Sequence, residues 1–106
     1  MSLILEQESP PLSQDATGAI RVGKTRVLLE LVIRAFADGA SAESIVQRYS
    51  SLSLSDVYLT IGYYLRHRDA VEAYLDQREQ LAESVRQRLS SVQPDLRLIR
   101  SRLLAQ

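Results

Sequence analysis

Apolar residues recur at helical spacing along most of the chain and alternate with polar ones in one short stretch near the start. Leu29, Val32, Ile33 and Phe36 stand at i, i+3, i+4 and i+7, which predicts a helix over 29–38 with one buried stripe. Glu30 suits the dipole at its start, and Gly39 follows as the residue that leaves the helix in the left-handed region. Ser41 predicts the N-cap of a second helix over 42–49, with Ile45, Val46 and Tyr49 inward. Ser53-Leu54-Ser55-Asp56 resembles a capping box and predicts a third helix over 54–65. Its expected inward face is Leu54, Val57, Ile61 and Leu65, leaving Ser55, Tyr58, Thr60 and Tyr63 outward. Arg66-His67-Arg68-Asp69 reads as a break or a bend. A fourth helix is expected over 69–89, with Val71, Leu75, Ala82, Val85 and Leu89 inward and a dense run of charges on the outer face. Glu83 stands three residues before Arg86 and pairs with it at helix spacing, whereas Glu79, two turns away, does not. Ser90-Ser91-Val92-Gln93-Pro94 reads as the end of that helix. Residues 95–104 read as a short amphipathic tail helix with Leu96, Ile99 and Leu103 on one side.

Before the helices, Ile20 and Val22 alternate with Arg21 in a strand pattern. Residues 19–22 and 25–28 read as two short strands reversing at Gly23-Lys24, where Gly23 supplies a positive φ. Residues 1–17 are polar and carry Pro10 and Pro11. They read as a flexible arm with an edge strand near Leu12 and a turn at Asp15–Gly18. The expected architecture is mainly α: a three-helix bundle with an N-terminal β-hairpin and a long C-terminal helix. With 106 residues there is room for one small domain, placed at 18–90 after the 1–17 arm, with 91–106 as the tail helix.

Residues 18–25 also satisfy G-x-x-x-x-G-K-[ST], the pattern of a phosphate-binding loop. That loop needs a buried strand before it and a helix opening at the Lys-Thr, so that backbone amides curl around an anion. Here a polar, Pro-containing segment precedes it and extended chemistry continues through Arg26-Val27-Leu28. Nucleotide binding is therefore the remote alternative, and no enzyme activity is expected.

Charge and composition narrow the remaining classes. Thirteen basic residues balance thirteen acidic ones, so there is no bulk electrostatic pull toward nucleic acid. The chain has no Cys, which fits a cytoplasmic setting. Met1-Ser2-Leu3-Ile4-Leu5-Glu6 has no basic start and too short an apolar run for a signal peptide, and no stretch approaches a membrane span. His67 is the single His, so a metal site is not expected, nor any cofactor.

The second and third helices, joined by Ser50-Ser51-Leu52-Ser53, have the layout of a helix-turn-helix. Any small trihelical bundle gives the same pattern, and a shared fold does not fix a function. Residues 27–65 hold Arg34 and Arg48 against Glu30, Asp38, Glu43 and Asp56, a net of minus two. Positive charge lies elsewhere: Arg21, Lys24 and Arg26 on the hairpin, Arg66 and Arg68 at the end of the third helix, and Arg97, Arg100 and Arg102 in the tail. Phosphate contacts dominate affinity for DNA, so the candidate nucleic-acid-binding residues are Arg21, Lys24 and Arg26, with Tyr58 and Tyr63 facing a groove. Tyr58, Tyr63, Tyr64 and Tyr74 fit two readings, packing with hydroxyls at the rim and an aromatic partner surface. Leu96, Ile99 and Leu103 are the candidate partner-binding residues, because their apolar stripe needs a cover.

Residues 18–75 resemble a prokaryotic family, domain of unknown function family 433, often described as antitoxin-like. The resemblance rests on an ordered set: Gly18, Val22, Thr25-Arg26-Val27, the apolar helix 29–38, Gly39-Ala40-Ser41-Ala42-Glu43-Ser44-Ile45 and Leu52-Ser53-Leu54-Ser55-Asp56-Val57. Tyr63-Tyr64-Leu65 and Ala73-Tyr74-Leu75 continue it. Lys24 stands where the family commonly has Gly before Thr-Arg. The resemblance implies a homeodomain-like trihelical fold behind a β element. It also implies an antitoxin-like binding module: a homodimer that masks a PIN-like ribonuclease toxin and binds its own operator DNA. A protein-only adaptor or oligomerisation domain is the alternative.

Overall fold

In the computed structural model a single carboxylate, Asp15, organises the first regular structure. The structure describes the backbone of residues 2–105 and the side chains of residues 2–90. Strand β1 (Leu12–Gln14) pairs antiparallel with β2 (Ile20–Val22), with Leu12 opposite Val22 and Gln14 opposite Ile20. Between them Asp15 Oδ1 accepts from the Thr17 amide at 2.8 Å, the Ala19 amide at 3.2 Å and the Thr17 hydroxyl. Gly18 takes φ +90° there, a conformation open to glycine at little cost. These donors, the Thr17 hydroxyl foremost, hold the Asp15 carboxyl below the usual carboxylate range.

The partner of β2 is thus upstream, and the strand expected over 25–28 does not form. On that side stand an isolated bridge, Arg21 with Leu28, and a hydrogen bond from the Val22 N–H to the Val27 carbonyl at 2.9 Å. The reason is Thr25. Its hydroxyl donates to the Val22 carbonyl at 2.7 Å and accepts from the Val27 amide at 3.0 Å. Such a side-chain turn competes with a ladder for the same backbone groups. Gly23 does take a positive φ, +62°, and its amide donates to the Pro11 carbonyl at 2.6 Å.

Three helices follow: α1 (Leu29–Ala37), α2 (Ala42–Arg48) and α3 (Leu54–Arg66). They pack on one another, and α1 and α3 also rest on β2. Gly39 at φ +96° ends α1 in a Schellman motif. Its amide donates to the Phe36 carbonyl and that of Ala40 to the Ala35 carbonyl, both at 3.0 Å. Ser41 caps α2 by accepting from the Ser44 amide at 3.1 Å, and Ser53 caps α3 by accepting from the Asp56 amide at 3.2 Å. Val22, Leu29, Val32, Ile45, Val57 and Thr60 are fully enclosed between the elements.

The buried stripe of α3 differs from the expected one. Val57, Thr60 and Tyr64 face the core, while Leu54 is 41% and Leu65 51% exposed. A polar residue is tolerated inside because the Thr60 hydroxyl donates to the Asp56 carbonyl of its own helix at 2.7 Å, so no buried donor is left unsatisfied. Tyr64 meets the ring of Phe36 edge-on at 6.3 Å, and the Arg68 guanidinium stands 5.5 Å from the Tyr64 ring centroid.

His67, with φ −127° and ψ 44°, is the one-residue break after α3. Helix α4 (Arg68–Ala105) then runs for 38 residues. It continues through Ser90 and Pro94, where an end was expected, so residues 95–104 are not a separate helix. The φ of proline is itself helical. Inside a helix its cost is the lost N–H and a clash with the preceding turn, about 3 kcal/mol, which the helix-forming Leu89, Gln93, Leu96, Arg97 and Leu98 around it oppose. The chain divides into two units, residues 1–71 and 72–106. In the second, Arg86 reaches both Glu83 at 2.6 Å and Glu79 at 2.9 Å. The Glu79 contact was not expected at two turns; the length of the Arg side chain spans it. All three groups are exposed, so the bridges add little stability.

Candidate functional site

The rotation of α3 that buries Thr60 and Tyr64 turns an apolar flank outward. Tyr58 is 54% exposed and Leu59 48%, and Leu65 lies on the same side of the helix. Between this flank and residues Glu8, Ser9 and Pro10 of the arm runs a groove of about 630 Å³. Tyr58, Leu59, Gly62, Tyr63 and Leu65 line its apolar side, and Arg66 and His67 close one end. Gly62 makes the floor: a Cβ built there meets no atom within 4 Å.

Two contacts hold the rims. The Tyr58 hydroxyl donates to Glu43 Oε1 at 2.8 Å. That bond pulls the Glu43 carboxyl below its ordinary value and, together with the negative charge beside it, raises the Tyr58 phenol. At the other end the Tyr63 ring stacks on His67, centroids 4.2 Å apart and planes 19° from parallel. His67 Nδ1 lies 3.1 Å from the Tyr63 carbonyl oxygen. A carbonyl only accepts, so Nδ1 carries the proton of that bond.

The residues expected to bind nucleic acid are distributed between the hairpin and the groove. Arg21 is spent on the hairpin: one guanidinium nitrogen is 3.3 Å from Asp15 and another donates to the Arg26 carbonyl at 3.1 Å. Lys24 and Arg26 are exposed on the turn after β2. That turn touches the start of α3, since a Cβ on Gly23 would come 2.7 Å from Asp56 Oδ2. Tyr58 and Tyr63 share the groove, whose lining includes none of the three cations. Four amides of the Gly18–Thr25 string are also occupied. Gly18 N–H donates to the Asp15 carbonyl at 3.1 Å, Ala19 to its carboxylate, Val22 to Val27 and Gly23 to Pro11. No helix opens at Lys24-Thr25; α1 begins at Leu29. The string is a strand and two turns, without the strand-to-helix passage that a phosphate-binding loop uses.

Leu59, Gly62 and Leu65, with the arm residues opposite, are the members that reasoning from sequence missed. Two signals pointed to Leu59 and Gly62, an apolar residue off the expected stripe of its helix and a glycine in its interior; Leu65 was expected on the buried face instead. In the second unit Leu81, Val85 and Leu89 are exposed, so Val85 and Leu89 do not face inward as expected: among the described residues no other element of their own unit stands there to cover them. Leu96, Ile99 and Leu103 lie outside the residues whose side chains are described. Among the described residues no helix is long and apolar enough to cross a membrane, and no three His, Asp or Glu side chains gather where a metal ion could be held.

Residues 15–64, from the hairpin turn to the buried Tyr64, match the model of a family described as Protein of unknown function (DUF433). No curated protein and no solved structure matches the chain.

Proposed function

Since residues 15–64 belong to the DUF433 family, we propose that the chain is an antitoxin-like binding module, a small cytoplasmic dimer that acts by covering a partner protein such as a PIN-like ribonuclease toxin. The observation that carries this reading is the groove on α3. In a helix-turn-helix of the homeodomain kind, α3 is the helix that reads DNA, and base and phosphate contacts call for polar and basic side chains there. Here its outward flank is Tyr58, Leu59 and Leu65, and its first turn carries Asp56. An apolar concavity of this kind is suited to a protein segment.

The test is co-expression of the full chain with the product of the neighbouring gene, followed by calorimetry on the purified pair. Leu59→Glu, which puts a charge on an exposed position, is expected to weaken binding at least tenfold while leaving the melting temperature within a few degrees. If the wild-type chain binds no neighbouring product, or if Leu59→Glu binds as tightly, the reading fails.

One observation favours operator DNA as a second reading. Exposed Lys24 and Arg26 sit on the turn that touches the start of α3. A shift assay on the upstream DNA across a salt series decides it. Each phosphate contact removed by Lys24→Ala or Arg26→Ala lowers the salt slope by about one; no binding at low salt leaves the protein-only adaptor.

A further inference from the structure

Helix α4 spans 38 residues, about 57 Å at 1.5 Å per residue. Leu75, Arg78, Ala82, Val85 and Leu89 follow one another in alternating steps of three and four residues, and the sequence carries the same steps on through Val92, Leu96 and Ile99. That is a strict seven-residue repeat. An α-helix drifts about 20° per heptad against it, so a sustained repeat is the mark of a left-handed coiled-coil seam. The seam is half-buried at Leu75, Arg78 and Ala82 and open at its centre, where Val85 is 45% and Leu89 61% exposed.

The charges say what covers it. Residues 68–83 hold two Arg against five carboxylates, and residues 84–105 hold five Arg against one Asp. Laid parallel, two such helices put acid on acid and base on base. Laid antiparallel, each acidic half meets a basic half. A single register also satisfies the seam. With Val85 opposite the second copy's Leu89, Ala82 meets Val92, Arg78 meets Leu96 and Leu75 meets Ile99. Both the apolar steps and the charge halves are therefore self-complementary about the helix midpoint, as a two-fold interface requires. Arg78 is the one charged residue in the seam, and a lone polar seam position fixes register at some cost in stability. Pro94 falls in the slot of the repeat farthest from the seam. We infer that α4 pairs antiparallel with α4 of a second copy of this chain.

Sedimentation equilibrium on the full chain tests the pairing. A dimer is expected at micromolar concentration, with association weakened at least a hundredfold in the Val85→Glu, Leu89→Glu double variant and reduced in high salt. A wild-type monomer, or a double variant that stays dimeric, overturns the proposal. Orientation is read separately, since the chain has no Cys of its own. Glu72 and Arg100 both flank the seam on its same side. Glu72→Cys mixed with Arg100→Cys is expected to give the mixed disulfide on mild oxidation. Disulfides that link only like positions indicate a parallel pair and overturn the antiparallel arrangement.

Discussion

Tyr58 on α3 donates a 2.8 Å hydrogen bond to Glu43 on the first turn of α2. The bond joins α2 and α3 at their outer edge, on the side away from the core. Both groups are exposed, so water competes for them and the bond does more for the setting of the Tyr58 ring than for stability.

Tyr58→Phe is therefore expected to release Glu43. Its carboxyl, held low chiefly by the Tyr58 hydroxyl, returns toward the ordinary glutamate value, and carbon-detected NMR titration of the side-chain carboxyl follows the change. A Glu43 titration identical in both proteins means the bond is not kept in solution.

The Asp15 turn carries a pH dependence of defined sign. The folded-state carboxyl titrates below the ordinary value of 3.8. Its contribution to stability is complete above that value and is lost as pH falls through the lower, folded-state value. In Asp15→Asn this acid-side loss disappears. The gap between the urea midpoints of the two proteins is expected to be larger at pH 6 than at pH 2. A gap of constant size would show that Thr17 and Ala19 do not favour the ionised form.

Two glycines separate by substitution. Gly62 lies inside α3 with open space where a Cβ would stand, so Gly62→Ala stabilises by roughly 0.5–1 kcal/mol. Gly23 has φ +62° and Asp56 Oδ2 2.7 Å from that position, so Gly23→Ala costs about 1 kcal/mol or more. Thermal melts are expected to move in opposite directions.

Core and surface apolar residues are told apart in the same way. Ile45 is fully buried, and Ile45→Ala is expected to cost about 2–5 kcal/mol in chemical denaturation. Leu65→Ala is expected to stay within about 0.5 kcal/mol and to act on partner binding instead. A large loss at Leu65 would mean that the apolar flank of α3 is core.

What the sequence made legible is what is decided within a few residues. Ser41 and Ser53 cap by reaching three residues ahead, and Gly39 ends α1 through its own φ; each was readable from its neighbours. The partner of β2 was not. Two flanking segments had suitable residues, and the side chains of Asp15 and Thr25 decided between them. The face of α3 was misread because leucines at positions 54 and 65 outweigh a threonine in any count of hydrophobic residues. The hydrogen bond that lets Thr60 go inside is visible only once the helix exists. Tyr58 and Tyr63 stood out as aromatic residues, whereas the groove between them needs the arm residues Glu8 to Pro10, about fifty positions earlier in the chain.

The Asp15 turn has a kinetic consequence. Its carboxylate reaches no farther than Ala19 for a backbone donor and Arg21 for a cation. Loops this short close at little cost in chain entropy, and hairpins of this size assemble on the order of microseconds. The contacts that close the hairpin turn are therefore local and wait on no other part of the fold. The hairpin offers Val22 as a ready-made docking point while α1 and α3 are still searching for each other.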